Sequence, residues 1–140
     1  MKKQNNSGFT LLEIIIVIII VGVLASLALP RFFSMVEYSK STEALAALSS
    51  VRQSIERCYL MNPQSYAGCG DGGFGELDLE DPANSPNAHF DYTIGTAANA
   101  YTITAKRNAG DGGDNVSLIV LTQELGTVVR SGTGVYSGIK

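Results

Sequence analysis

The chain has 140 residues, a formal net charge of −3 and 45% hydrophobic residues, room for one domain with a modest core. That acidic balance provides no electrostatic footprint for nucleic acid, so no nucleic-acid partner is expected. A single histidine, His89, excludes a multi-histidine metal site.

In chain order, the first element is Phe9 to Leu29, FTLLEIIIVIIIVGVLASLAL, with Glu13 as its only charge. A helix of this length spans a hydrocarbon core of ~30 Å. A soluble core helix of this size would carry a polar face, and this stretch has none. Lys2 and Lys3 precede the apolar run. They predict a cytoplasmic N-terminus and place everything after Pro30 on the far side of the membrane. An ordinary single-span anchor fits most of these features. So does a secretory signal peptide cut near Ser26-Leu27-Ala28, which would release a secreted binding domain. Neither reading uses Glu13. A carboxylate costs ~2.5–3.5 kcal/mol at the centre of a span and less near its end, so a plain anchor would be better with leucine there.

Gly8-Phe9-Thr10-Leu11-Leu12-Glu13 resembles the prepilin processing site of type IV pilins and type II secretion pseudopilins. The resemblance is specific over residues 2–33 and only architectural beyond. It implies a leader of residues 1–8, cleavage between Gly8 and Phe9 by a prepilin peptidase, and methylation of the new N-terminal Phe9. It also implies storage in a bacterial inner membrane, an assembly platform there, and identical or related pilin subunits as partners in a periplasmic or cell-surface filament. Removing the leader leaves eight basic residues against thirteen acidic ones, a mature charge of −5. Glu13 then acquires a role in assembly. It can approach the protonated Phe9 amine of a neighbouring subunit or its own, and a misplaced subunit would bury one charge unpaired. The alternative is a glutamate that snorkels at the membrane edge. Gly22 and Pro30 fall where this family has a glycine and a proline in its first helix. Relative to alanine they weaken a helix interior by ~1 and ~3 kcal/mol, which implies a stretch that loosens on assembly or, more simply, a kink at Pro30.

After Pro30 the sequence becomes amphipathic. Ala44, Leu48, Val51, Ile55 and Cys58 recur at helical spacing. The helix is predicted from Phe9 to Met61, with Asn62-Pro63 as its stop. At ~80 Å it is too long for the remaining residues to cover, so its first half needs lipid or other subunits. Phe32, Phe33 and Tyr38 read as packing residues. Cys58 and Cys69 form an even pair in an exported chain, which predicts a disulfide tying the following loop to the helix end.

Residues 62–140 read as the globular domain. Residues 62–87 form a long irregular connection, read as functional surface. The period then becomes two at Phe90–Ile94 and Tyr101–Ala105. An apolar run at Val116–Leu121 and a segment at Thr127–Arg130 follow. These predict three or four antiparallel strands packed on the apolar helix face. The fold class is therefore α+β: a long N-terminal helix on a small antiparallel sheet, as in pilins. Ser131–Lys140, with three glycines, reads as a loose or edge segment. No cofactor is expected. The one candidate ion site is Asn108–Asn115, where Asp111 and Asp114 could hold Ca²⁺ with carbonyl oxygens; major pseudopilins carry a similar late calcium loop. The plainer reading is an acidic, glycine-rich turn. No nucleophile–base pair stands out, so an enzyme is not expected. A filament subunit is the leading expectation, pilin before pseudopilin.

Overall fold

The computed structural model describes residues 9–140. The expected cleavage residue Gly8 and the lysines before it lie outside the described residues. One helix, α1, runs Leu11–Met61, close to the predicted bounds. The chain divides into two units between Val36 and Glu37, so α1 belongs to both.

In the first unit α1 is apolar on all sides between Glu13 and Arg31, apart from Ser26. An 18-residue window reaches a mean hydropathy of 3.0, and no side chain from Leu11 to Leu29 is buried. By length and composition this helix can cross a membrane. Gly22 and Pro30 both lie inside it. Among the described residues a Cβ at Gly22 would meet nothing within 4 Å, so their packing does not require glycine there.

The second unit holds the core. Four strands, β1 Phe90–Ala97, β2 Ala100–Arg107, β3 Leu118–Glu124 and β4 Thr127–Gly132, form an antiparallel meander in sequence order. The register brings Tyr92, Ala105 and Ile119 into one cross-strand row and Ile94, Ile103 and Leu121 into the next. Alternation sends Phe90, Tyr92, Tyr101, Ile103, Ala105, Ile119 and Leu121 to the buried face. They share one core with Ala44, Leu48, Val51 and Ile55, each completely enclosed. The opposite face carries mainly threonine and serine, with Thr93, Thr104, Val120 and Ser131 in register.

Three sequence expectations change. The connection 62–87 is more than surface: Tyr66, Cys69, Phe74 and Leu77 enter the core, and short 3₁₀ turns form at Phe74–Leu77 and Pro82–Asn84. β3 starts at Leu118 and runs to Glu124. Val116 lies outside it and is 72% exposed, because the Asp114 carboxylate accepts the backbone N–H groups of Val116 and Ser117 and holds them in a turn. Of the two readings of the C-terminal tail, the edge one holds for Ser131 and Gly132, which end the edge strand β4, and the remainder is fixed rather than loose. Gly132 N–H donates to the Ile139 carbonyl at 3.1 Å, and Tyr136 is fully buried with its ring 5.6 Å from that of Phe90. A Cβ on Gly132 would collide with the Tyr136 carbonyl, so this return of the chain needs glycine.

Candidate functional site

Helix α1 opens with Thr10-Leu11-Leu12-Glu13. The first turn of any helix leaves N–H groups without intrahelical partners. Here Thr10 Oγ1 accepts the Glu13 N–H at 3.3 Å, while Glu13 Oε2 accepts the Thr10 N–H at 2.8 Å. This is a reciprocal capping box, tightened by the Thr10 hydroxyl donating to the same Oε2 at 2.8 Å. Glu13 is thus a helix-start residue as well as a candidate assembly residue. The Thr-x-x-Glu spacing was visible in the sequence and points to this second role. Oε1 takes part in none of these bonds. Phe9, the candidate methylation site, lies one residue before the cap and is 84% exposed.

The second cluster lies where α1 enters the folded unit. Arg107, the last residue of β2, alternates inward and is completely enclosed. A buried guanidinium needs a partner. Glu37 supplies one: Arg107 Nε and Nη2 donate to its two carboxylate oxygens at 2.9 and 3.0 Å, the bidentate fork that arginine and carboxylate favour. The remaining donors go to the carbonyls of His89, Asn108, Gly110 and Asp111. Gly113 makes room, since a Cβ there would collide with the Asn108 carbonyl and sit against the guanidinium. Arg107 hydrogen bonding, ahead of the opposing effect of burial, holds the Glu37 carboxyl down at about 2. Lys40 extends the cluster, bonding Glu37 at 2.7 Å and Asp111 at 2.9 Å. His89 lies between Glu43, 2.6 Å from its Nδ1, and Asp111, 3.4 Å from its Nε2.

This places the two aspartates of the candidate ion loop. Asp111 faces Lys40 and His89. Its carboxyl is held below the usual carboxylate range, first by the Lys40 hydrogen bond. Asp114 faces Ser117, whose hydroxyl bond leads the causes that hold it low. The fold gives them different partners rather than a common one. Among the described residues no group of three or more His, Cys, Asp or Glu is arranged to hold a metal. Arg107, Glu37 and Tyr136 were not singled out in the sequence; an arginine at an inward strand position was the available signal for the first.

Cys58 and Cys69 are joined, with Cα atoms 5.8 Å apart. The bridge ties the last turn of α1 to the following loop, as the even cysteine count in an exported chain predicted.

The comparisons follow this architecture. Residues 3–29 match the model of the prokaryotic N-terminal methylation motif. The type IV major fimbrial protein FimA of Dichelobacter nodosus is 34% identical over 58 residues, covering 41% of this chain and 37% of that protein. A probable minor fimbrial protein of the same organism is 43% identical over 58 residues, covering 41% and 35%. The type II secretion system core protein G of Pseudomonas aeruginosa is 34% identical over 62 residues, covering 44% of each chain. The match thus spans under half the length of these relatives. No solved structure matches. The second half of α1, the loop, β1, β2 and the loop that holds Arg107 are covered by one further model, which spans residues 30–115, more than half of the chain, and on that ground the chain belongs to the family described as type IV minor pilin ComP, DNA uptake sequence receptor.

Proposed function

We propose that this chain is a structural subunit of a type IV pilus-like filament, stored in the inner membrane through residues 9–29, cleaved after Gly8 and methylated on Phe9 before assembly. The observation that carries this reading is the contrast along α1. From Leu11 to Leu29 no side chain is buried, while the residues after Glu37 close a core of their own. Exposed apolar surface on this scale calls for a cover. Lipid covers it before assembly, and the helices of neighbouring subunits cover it afterwards. Glu13 keeps an oxygen outside the capping bonds, suited to a Phe9 amine in the processed chain.

A second reading is a type II secretion pseudopilin, favoured by the match to protein G. It shares the assembly chemistry and differs in the machine served. The DNA contact named in the family description would need a basic surface. Residues 37–140 carry seven basic against twelve acidic residues, and two of the bases, Lys40 and Arg107, are bonded to acids. Surface charge therefore does not favour that contact here.

Replacing Gly8 by valine puts a branched side chain at the scissile bond. Uncut protein should accumulate in the membrane and no filaments should form. Maturation of Gly8→Val at the normal size and rate would refute the processing step.

A further inference from the structure

The end of the folded unit away from Arg107 along β2 carries a recess of about 340 Å³ lined by Tyr59, Tyr66, Asn99, Gln123, Leu125 and Gly126. That volume falls in the range of small-molecule sites, ~300–1,000 Å³. Three connections build it: the end of α1 with its loop, the β1–β2 turn and the β3–β4 turn. Backbone bonding holds the first two together, Tyr66 N–H donating to the Ala98 carbonyl at 3.1 Å.

Two features of the lining are unexplained by folding. Gln123 is 5% exposed and its Oε1 has no hydrogen-bond partner among the described residues, an arrangement that costs ~1–3 kcal/mol. Leu125 is 86% exposed with a φ of 50°, a left-handed conformation that branched apolar residues rarely adopt. It occupies the first position of a two-residue hairpin turn, where asparagine or glycine is favoured. An orphaned, enclosed carbonyl oxygen and a strained, exposed leucine beside one recess are the kind of local cost found where a ligand binds.

The chemistry of the lining selects the ligand. Among the described residues no charged side chain lines the recess, in a unit that is otherwise acidic. The Tyr66 and Tyr101 hydroxyls are directed to Glu56, at 3.1 and 2.9 Å, and Tyr59 and Tyr66 stack with centroids 4.3 Å apart. The aromatic rings therefore serve as apolar wall, and Asn99 and Gln123 supply neutral donors and acceptors. The last torsion of glutamine is soft, so the Gln123 amide can turn to meet an entering hydroxyl. We infer that this recess binds a neutral, hydroxyl-rich ring, a pyranose sugar, through C–H contact with Tyr59 and Leu125 and hydroxyl bonds to Gln123 and Asn99. Anionic ligands are disfavoured by the absence of a cation and by the acidic surroundings.

The test uses the isotope-labelled full-length chain in a zwitterionic, sugar-free detergent. Glucose, galactose and N-acetylglucosamine are the neutral probes; glucuronate and glucose 6-phosphate are the charged ones. At least one neutral sugar should receive saturation transfer and shift the signals of Tyr59, Asn99, Gln123 and Leu125 in a saturable way. Gln123→Leu and the exposed-turn variant Asn99→Ala should each weaken it roughly tenfold, the scale of one lost hydrogen bond. Thr93→Ala, on the opposite sheet face, should bind as the unaltered chain does. Absence of any neutral-sugar response in the folded, disulfide-bonded chain would overturn the assignment. So would equal binding by the Asn99 variant, or preference for the charged probes. Broadening of these signals only on filament formation would assign the recess to subunit contact instead.

Discussion

Arg107 shows how one residue can decide a local structure. Its guanidinium is enclosed, and its bonds to Glu37, His89, Asn108, Gly110 and Asp111 pin α1, the residue that leads into β1 and the β2–β3 loop to one point. Removing Glu37 would leave that cation buried without its counter-charge, a change that costs ~3–5 kcal/mol at buried pairs. Glu37 keeps a side-chain exposure of 23%, so Glu37→Ala should fall at the lower end when the two chains are compared by urea unfolding. The pH dependence has a definite sign. Glu37 titrates near 2 in the folded chain against an ordinary 4.5. The unfolded state therefore binds its proton first as pH falls. The stabilisation is complete above about 4.5 and is lost progressively toward 2. Glu37→Gln should be less stable at neutral pH and lose less on acidification through that window. An acid limb identical to that of the unaltered chain would contradict the pairing.

At the scale of elements, the parts with a period were legible and the parts without one were not. Ala44, Leu48, Val51 and Ile55 announced the buried helix face, and alternation announced β1 and β2. The tail had neither signal. It is held by a glycine fit at Gly132 and by the enclosure of Tyr136, which depend on which distant residues they meet. Val116 misled because an apolar run does not reveal that the aspartate before it will cap a turn. The capping role of Glu13 was legible as spacing, whereas the Arg107 cluster joins residues seventy positions apart that no local pattern connects. Tyr136→Ala should destabilise the folded unit by ~3–5 kcal/mol, as for other buried aromatic side chains, measured by thermal unfolding. A change near zero would return the tail to a loose segment. Replacing both Cys58 and Cys69 by serine should cost ~3 kcal/mol in the chain-entropy model. Hydrogen exchange should show the loop that follows α1 opening first.

For the whole molecule, the two units of the chain ask for different surroundings. The folded unit satisfies its own core, whereas the first part of α1 presents isoleucine, leucine and valine on every side and needs lipid or other helices. Glu13 is the charge on which the change between those surroundings should act. Glu13→Gln retains size and part of the capping geometry but removes the charge. Membrane insertion and cleavage should persist, and filament yield should drop sharply. Assembly equal to that of the unaltered chain would leave Glu13 with its capping role alone. The filament claim itself is tested most directly by shearing filaments from cells that express the chain, purifying them, and measuring the intact mass of this subunit. The subunit in the filament fraction should begin at Phe9, carry one methyl group and retain the Cys58–Cys69 bridge. A chain confined to the membrane fraction at full length, or a soluble chain beginning at Leu29, would contradict it.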